Sequence, residues 1–423
     1  MYERARIPFE VSILVLAIAI VLVGCQPSAP PFECTDPIGC VEVGPDDPIK
    51  IGVLQVLSGD LQLYGLDNLR SVELAVEDRG GELLGHPIDL KTEDSLCSKE
   101  GGTTAASKIV ADPQIVAIIG PTCSGAAASA IEVMSESGLV MISGSSSAPS
   151  LTSVGGERGS DWQPGFLRTA QNDALSGRAA ATFAFEVLGV TKAATIDDGD
   201  PYTRGLADTF QQVFTELGGE IVLAAVVNKG DTNMQPVLTA VARSEAELVF
   251  FPVFQPEGDY IVLHAREVEG LENITLMSAE GLYQDSFIET VDQAGVGLHL
   301  VIPTTPEGPA YDAFVSKYEA KYEEAPTQIY YTHTYDAANM LLNAIDAVAL
   351  EDGKVDGTLH IGRQALRDAL YATAGYQGLT GSLTCDEYGD CGVARFQVIR
   401  LDDPQAGLEG LGANVVYTYP ADQ

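Results

Sequence analysis

Positive charge is what this chain has least of. Its 423 residues hold 23 Lys and Arg against 60 Asp and Glu, a formal net charge of −37. A surface so acidic repels phosphate backbones, and nucleic acid is excluded as a partner on that ground. Catalytic signatures are missing too. There is no GxSxG elbow, HExxH helix or GxxxxGK[ST] loop, and the five histidines (His86, His264, His299, His333, His360) fall in no triad-like motif. A serine hydrolase is conceivable from the many serines, but without those motifs an enzyme is not expected. The seven cysteines include no CxxC and have no His cluster beside them. A metal site is therefore disfavoured and no cofactor is expected. Beyond residue 25 no second apolar run is long enough to cross a bilayer.

What is present begins at the N-terminus. "VSILVLAIAIVLVGC" (11–25) has the length of a secretory apolar region and follows a head carrying Arg4 and Arg6. Its end, Leu22-Val23-Gly24-Cys25, resembles the lipobox of bacterial lipoproteins, against the plainer alternative of a signal anchor. That resemblance implies a signal peptide over 1–24, a lipid anchor through Cys25, and a Pro-rich tether over 25–47 beginning "QPSAPP". The expected location is the periplasm or outer face of a bacterial cell membrane. Setting Cys25 aside leaves an even number of cysteines, as an oxidising compartment favours. The spacings of Cys34 with Cys40 and of Cys385 with Cys391 suit turn-closing disulfides, and Cys97 with Cys123 is the remaining pair.

From Ile49 onward strand and helix patterns alternate. Apolar strand candidates cover 49–56, 87–94, 115–120, 139–143, 192–197, 220–227, 247–253, 274–279 and 298–303, with helical spacing between them, as at 68–81 and 204–219. Such alternation predicts α/β architecture with parallel sheets covered on both faces. The irregular "SVGGERGSDWQPG" (153–165) separates a block of about four strands from one of about five. Two doubly wound lobes with a cleft between their strand ends are expected.

Two strand–helix junctions are unusually rich in small hydroxyl residues: "IIGPTCSGAAASA" (118–130) and "MISGSSSAPSLT" (141–152). With "IKIGVLQVLSGDLQLYG", "DPYTRGLADTF", "FPVFQPEGDYIVLHARE", "LMSAEG", "IYYTHTYDAANML" and "GLTGSLTCDEYGDCG", in that order and spacing, they make the chain resemble type I periplasmic binding proteins of the leucine/isoleucine/valine-binding kind. The likeness covers nearly the whole chain from about Ile49.

The resemblance implies two lobes joined by a three-strand hinge: 48–170 with 303–378, and 171–302 with 379–423. It also implies a ligand-binding subunit of an ABC importer that captures a free amino acid, with an aliphatic or branched side chain favoured. The partners would be that amino acid and a membrane permease, and a monomer is expected. The ligand's carboxylate would meet Ser124, next to Cys123, and Ser145 and Ser147, where relatives often carry Ala and Thr. Hydroxyls and N–H groups at helix starts suit that task. Glu280 in "SAEG" would take the ammonium. Tyr202 and Phe254, the latter where relatives commonly have Tyr, would close from the second lobe, and Tyr64 and Tyr330 would line the first. Cys97–Cys123 would staple the first serine loop. Two other readings keep the fold: an amide, urea-like or aromatic-acid ligand with less use for Glu280, or coupling to a sensor instead of a permease.

Overall fold

The computed structural model describes Met1, residues 32–351 and residues 357–420. The signal segment and Cys25 lie outside the described residues. In the first lobe the strands are β1 (Ile49–Gln55), β2 (Glu82–Leu83), β3 (His86–Asp94), β4 (Ile115–Ile119), β5 (Met141–Ser143) and β6 (Phe166–Arg168). They lie in the order β2–β3–β1–β4–β5–β6, all parallel except the β2–β3 pair. Helices α1 (Gln62–Glu77), α2 (Lys99–Val110) and α3 (Ser124–Glu136) provide the crossovers. Six of the seven β1 residues are buried, as a central strand with both faces covered requires.

The chain then passes at 169–172 into the second lobe. There α4 (Asp173–Thr182), β7 (Lys192–Asp197), α5 (Pro201–Glu216), β8 (Glu220–Val226), α6 (Gln235–Ser244) and β9 (Leu248–Phe250) are followed by α7 (Glu257–Ala265), β10 (Thr275–Ala279), α8 (Asp285–Val291) and β11 (His299–Pro303). Helix α5 shows why these segments fold locally. Asp200 caps it by accepting from the Tyr202 N–H at 3.0 Å, Pro201 supplies its first residue, and Tyr202, Leu206, Phe210 and Phe214 make one buried stripe.

After Pro303 the chain returns to the first lobe for α9 (Pro309–Tyr322), α10 (Tyr331–Val348) and α11 (Arg363–Tyr371). It re-enters the second lobe for β12 (Phe396–Arg400), α12 (Gly407–Ala413) and β13 (Val415–Tyr419). The second sheet runs β8–β7–β9–β10–β11–β12–β13. Its first five strands are parallel, and the last two are added antiparallel, pairing Leu300 with Ile399 and Val398 with Tyr417. Each sheet has an apolar cluster on either face. The molecule is thus two doubly wound α/β lobes joined by three passages.

Three expectations are corrected. The third passage lies at 392–395, not after 378, because Leu383 and Cys391 are buried in the first lobe's core. Residues 40–43 are not free tether: Cys40–Val43 pairs antiparallel with Leu359–Gly362, burying Val41 and Val43. Strands β6, β12 and β13 were not anticipated. The first has only three residues, and the other two carry exposed or half-buried residues at an antiparallel edge, so neither gives a continuous apolar signal. The expected disulfides Cys34–Cys40, Cys97–Cys123 and Cys385–Cys391 are all formed.

Candidate functional site between the lobes

In the first sheet β1 lies between β3 and β4, so successive crossovers leave it in opposite directions; β7, between β8 and β9, does the same in the second. A crevice opens outside the strand ends at such a switch point. Here the two crevices face each other. The cavity between them is lined by Leu61, Tyr64, Thr122, Cys123, Ser124, Ser145, Ser147, Tyr202, Phe254, Glu280, Gly281 and Tyr330. All nine residues expected to contact ligand are therefore brought together.

One wall is a set of donors. Helix α3 starts at Ser124 with Cys123 as an extended cap residue that makes no side-chain cap, so its first N–H groups have no capping partner. Both residues are buried. The Ser124 Oγ accepts from the Ala148 N–H at 3.1 Å, which leaves its own proton to give. In the second loop the hydroxyls divide by role. Ser143 accepts from the N–H groups of Ser145 and Ser146 and donates to Pro121 O, to which Ser146 also donates, so these two stitch the loops together. Ser145 and Ser147 line the cavity. Gly144 permits this arrangement: a Cβ there would come within 2.4 Å of the Thr334 backbone.

Arg168, at the end of β6, holds that loop from behind. Fully buried, it donates to Ser146 O, Ala148 O and Thr152 Oγ1, and pairs with Asp390 at 2.6 Å. Asp390 in turn accepts from Thr152, Ser153 and Asn172. The Arg168 guanidinium draws the Asp390 carboxyl below its ordinary range despite burial.

The opposite wall is acidic and aromatic. Glu280, 3% exposed, opens a short turn after β10. The Tyr330 hydroxyl donates to its Oε1 at 3.1 Å, and the Tyr64 hydroxyl donates to its carbonyl at 2.7 Å, both across the interlobe boundary. Its Oε2 has no partner. Burial pushes the Glu280 carboxyl up to about 7. Tyr202 accepts from the Gly281 N–H and stacks on Phe254 with ring centres 4.9 Å apart. Burial and the Glu280 charge raise the three tyrosines well above their usual range, so they stay protonated donors. Val56, Leu61, Tyr64, the Cys97–Cys123 bridge, Ala126 and Phe254 form an apolar corner beside the polar groups.

Sequence reading missed two residues. Asp173 donates its N–H to Ser147 O at 3.0 Å and accepts from the Ser147 hydroxyl at 2.7 Å. Ser147 therefore spends its proton on Asp173, and its side chain faces the cavity as an acceptor rather than as the expected carboxylate donor. In sequence Asp173 looks like any acid in a helix's first turn. Arg168 did carry a signal: an arginine closing the apolar strand "FLR" needs buried acceptors. Among the described residues no cluster of His, Cys, Asp and Glu could hold a metal ion, and no helix is long and apolar enough to cross a membrane.

Comparison with known proteins agrees with this architecture. A family model described as periplasmic binding protein matches residues 48–403. The Leu/Ile/Val-binding protein BraC3 of Rhizobium johnstonii is 26% identical over 321 residues, covering 72% of this chain and 84% of that protein. A leucine-binding protein from Thermotoga maritima superposes with a TM-score of 0.72 at 23% identity, covering 84% of this chain and 96% of that one. A solute-binding protein of an ABC transporter from R. palustris, in complex with benzoate, gives 0.68 at 21% identity, covering 84% and 93%. The chain belongs to the periplasmic binding protein family, as a type I member with two lobes, a family of substrate-binding proteins and not of enzymes.

Proposed function

We propose that this protein captures a free amino acid with an aliphatic or branched side chain and delivers it to the membrane permease of an ABC importer, tethered outside the cell membrane by a lipid on Cys25. One observation carries the reading: an uncapped helix start and the hydroxyls of Ser124 and Ser145 face a buried carboxylate across one cavity, with an apolar corner beside them. A zwitterion has the matching parts. Its carboxylate takes N–H and O–H donors, its ammonium takes Glu280 Oε2, and its side chain takes the corner against Leu61, Phe254 and the disulfide. Because the ligand would touch both lobes, it favours the closed state by contacts the open state lacks. The relative from Rhizobium, a Leu/Ile/Val-binding protein by name, supports the same class.

The test is a thermal-shift screen over the twenty amino acids, amides and aromatic acids, followed by calorimetry. Aliphatic amino acids should give the largest shifts, and Glu280→Ala should weaken them at least ~10-fold, since truncating one partner of a buried charge pair costs ~2–5 kcal/mol. Unchanged affinity removes Glu280 from the site. Mass spectrometry of membrane-derived protein would find the lipid on Cys25.

A further inference from the structure

We propose that a cavity ringed by the three interlobe passages is a second small-molecule site, built for a small zwitterion whose occupancy sets the angle between the lobes. It lies apart from the cleft and stands whatever the cleft holds. The first passage contributes Gln171 to its wall, the second, at 304–308, Thr304 and Glu307, and the third Arg395. His333 on α10 lines it from the first lobe and Gln397 on β12 from the second. The second and third passages touch beside it, the Thr304 N–H donating to Arg395 O at 3.2 Å.

Two of these side chains are buried and uncommitted. Gln171 is 5% exposed and its Oε1 has no partner, while His333 is 2% exposed and neither ring nitrogen has one. Burying polar atoms without partners is costly, so two such side chains on one cavity wall point to a partner that enters from the cavity. The rim carries opposite charges. Arg395 and Glu307 are exposed, come from different passages, and form no ion pair with each other or with any other described residue. Arg395 is the one cation on this wall, since no lysine lines it and burial keeps His333 neutral, its value lowered to about 3. A simple anion would meet Arg395 but be repelled by Glu307, and a simple cation would fare the reverse. A zwitterion serves both, its carboxylate on the guanidinium and its ammonium on the Glu307 carboxylate. The Gln171 and Gln397 amides and the His333 imidazole each carry a donor and an acceptor for the groups between.

Rotation of the lobes turns the passages against one another. A molecule gripping two of them therefore binds one lobe angle better than the rest and shifts the population toward it. The path to the cleft is short: Thr169 of the first passage donates to His333 O at 2.7 Å, and the His333 ring lies edge-on to Tyr330 with centres 5.4 Å apart.

Calorimetry on the full chain tests the site with glycine, β-alanine and 4-aminobutyrate, zwitterions of increasing charge separation. Butanoate and butylamine each carry one of the two charges and serve as controls. At least one zwitterion should bind ~10-fold or more tightly than both controls, and Arg395→Gln and Glu307→Gln, both at exposed positions, should each weaken it ~10-fold or more. Glu280→Ala should leave that binding within about threefold of wild type. In small-angle X-ray scattering the same zwitterion should lower the radius of gyration of the wild-type protein and not of Arg395→Gln. No binding tighter than ~10 mM, or binding that Arg395→Gln and Glu307→Gln leave within about twofold, overturns the site. Binding lost in Glu280→Ala but kept in Arg395→Gln places the compound in the cleft and overturns it too. Butanoate bound as tightly as the zwitterion overturns the ligand class, and an unchanged radius with the site filled overturns its hold on the lobe angle.

Discussion

An acid with 3% of its surface exposed and one oxygen unpartnered weakens an empty protein, and Glu280 is such an acid. Its carboxyl rests at about 7 in the fold, above the ordinary 4.5, because burial disfavours the charge. The folded state therefore binds more protons than the unfolded one between those values, and stability falls as pH rises through that window. The penalty is absent below about 4.5 and complete above about 7, reaching up to ~3 kcal/mol. Glu280→Gln, ligand-free, should accordingly melt several degrees higher than wild type near pH 8, with the gap closing near pH 4.5. An equal gap at both values would mean that the proton is not the cause. The trade is one of stability against affinity, as at other sites that hold an unpaired charge for a partner.

At the scale of elements, the second serine loop owes its shape to contacts made far along the chain. Arg168 reaches the carbonyls of Ser146 and Ala148 only while Asp390, 222 residues on, neutralises it. Asp390→Ala would leave a buried guanidinium unpaired, at a cost of ~3–5 kcal/mol. We expect a large drop in melting temperature and, in whatever folds, weakened amino-acid binding. Arg168→Met with Asp390→Leu, which removes both charges together, should recover much of the stability but not the affinity, because the loop carbonyls lose their anchor. Recovery of affinity by the double change would show the pair to be structural only. Such couplings mark the limit of what could be read from residues in order. The strands β1, β4, β7, β10 and β11 were legible because burial on both faces writes a continuous apolar run, and nine of the cavity's twelve lining residues were legible because the family resemblance spans them. Asp173 and Asp390 were not: one reads as a helix-start acid and the other as a turn acid inside "DEYGDC", and only the fold brings them to the serine loop. The third passage was misplaced for the same reason. Residues 379–391 are short of apolar residues, yet Leu383 and the buried Cys391 hold them in the first lobe.

Over the whole molecule the question is what permits the lobes to meet. Lys229 of the second lobe donates to Cys97 O of the first at 3.1 Å, Tyr64 reaches the Glu280 carbonyl, and helix α3 of one lobe abuts the capped start of α5 in the other. At that last contact a Cβ on Gly125 would lie 2.2 Å from Asp200 Oδ2. Asp200 has little room to yield, because its other oxygen caps α5. Gly125→Ala separates two effects by sign. Within the first lobe, alanine early in α3 should be neutral or gain up to ~1 kcal/mol in helix propensity. Between the lobes it places a methyl group against a carboxylate in the closed state alone. The ligand-free variant should thus melt at or above the wild-type temperature, while amino-acid affinity falls ~10-fold or more and the ligand-induced decrease in radius of gyration, followed by small-angle X-ray scattering, is reduced. If affinity and compaction both survive, closure does not bring α3 and α5 this close, and the differential contact that drives capture lies elsewhere along the cleft.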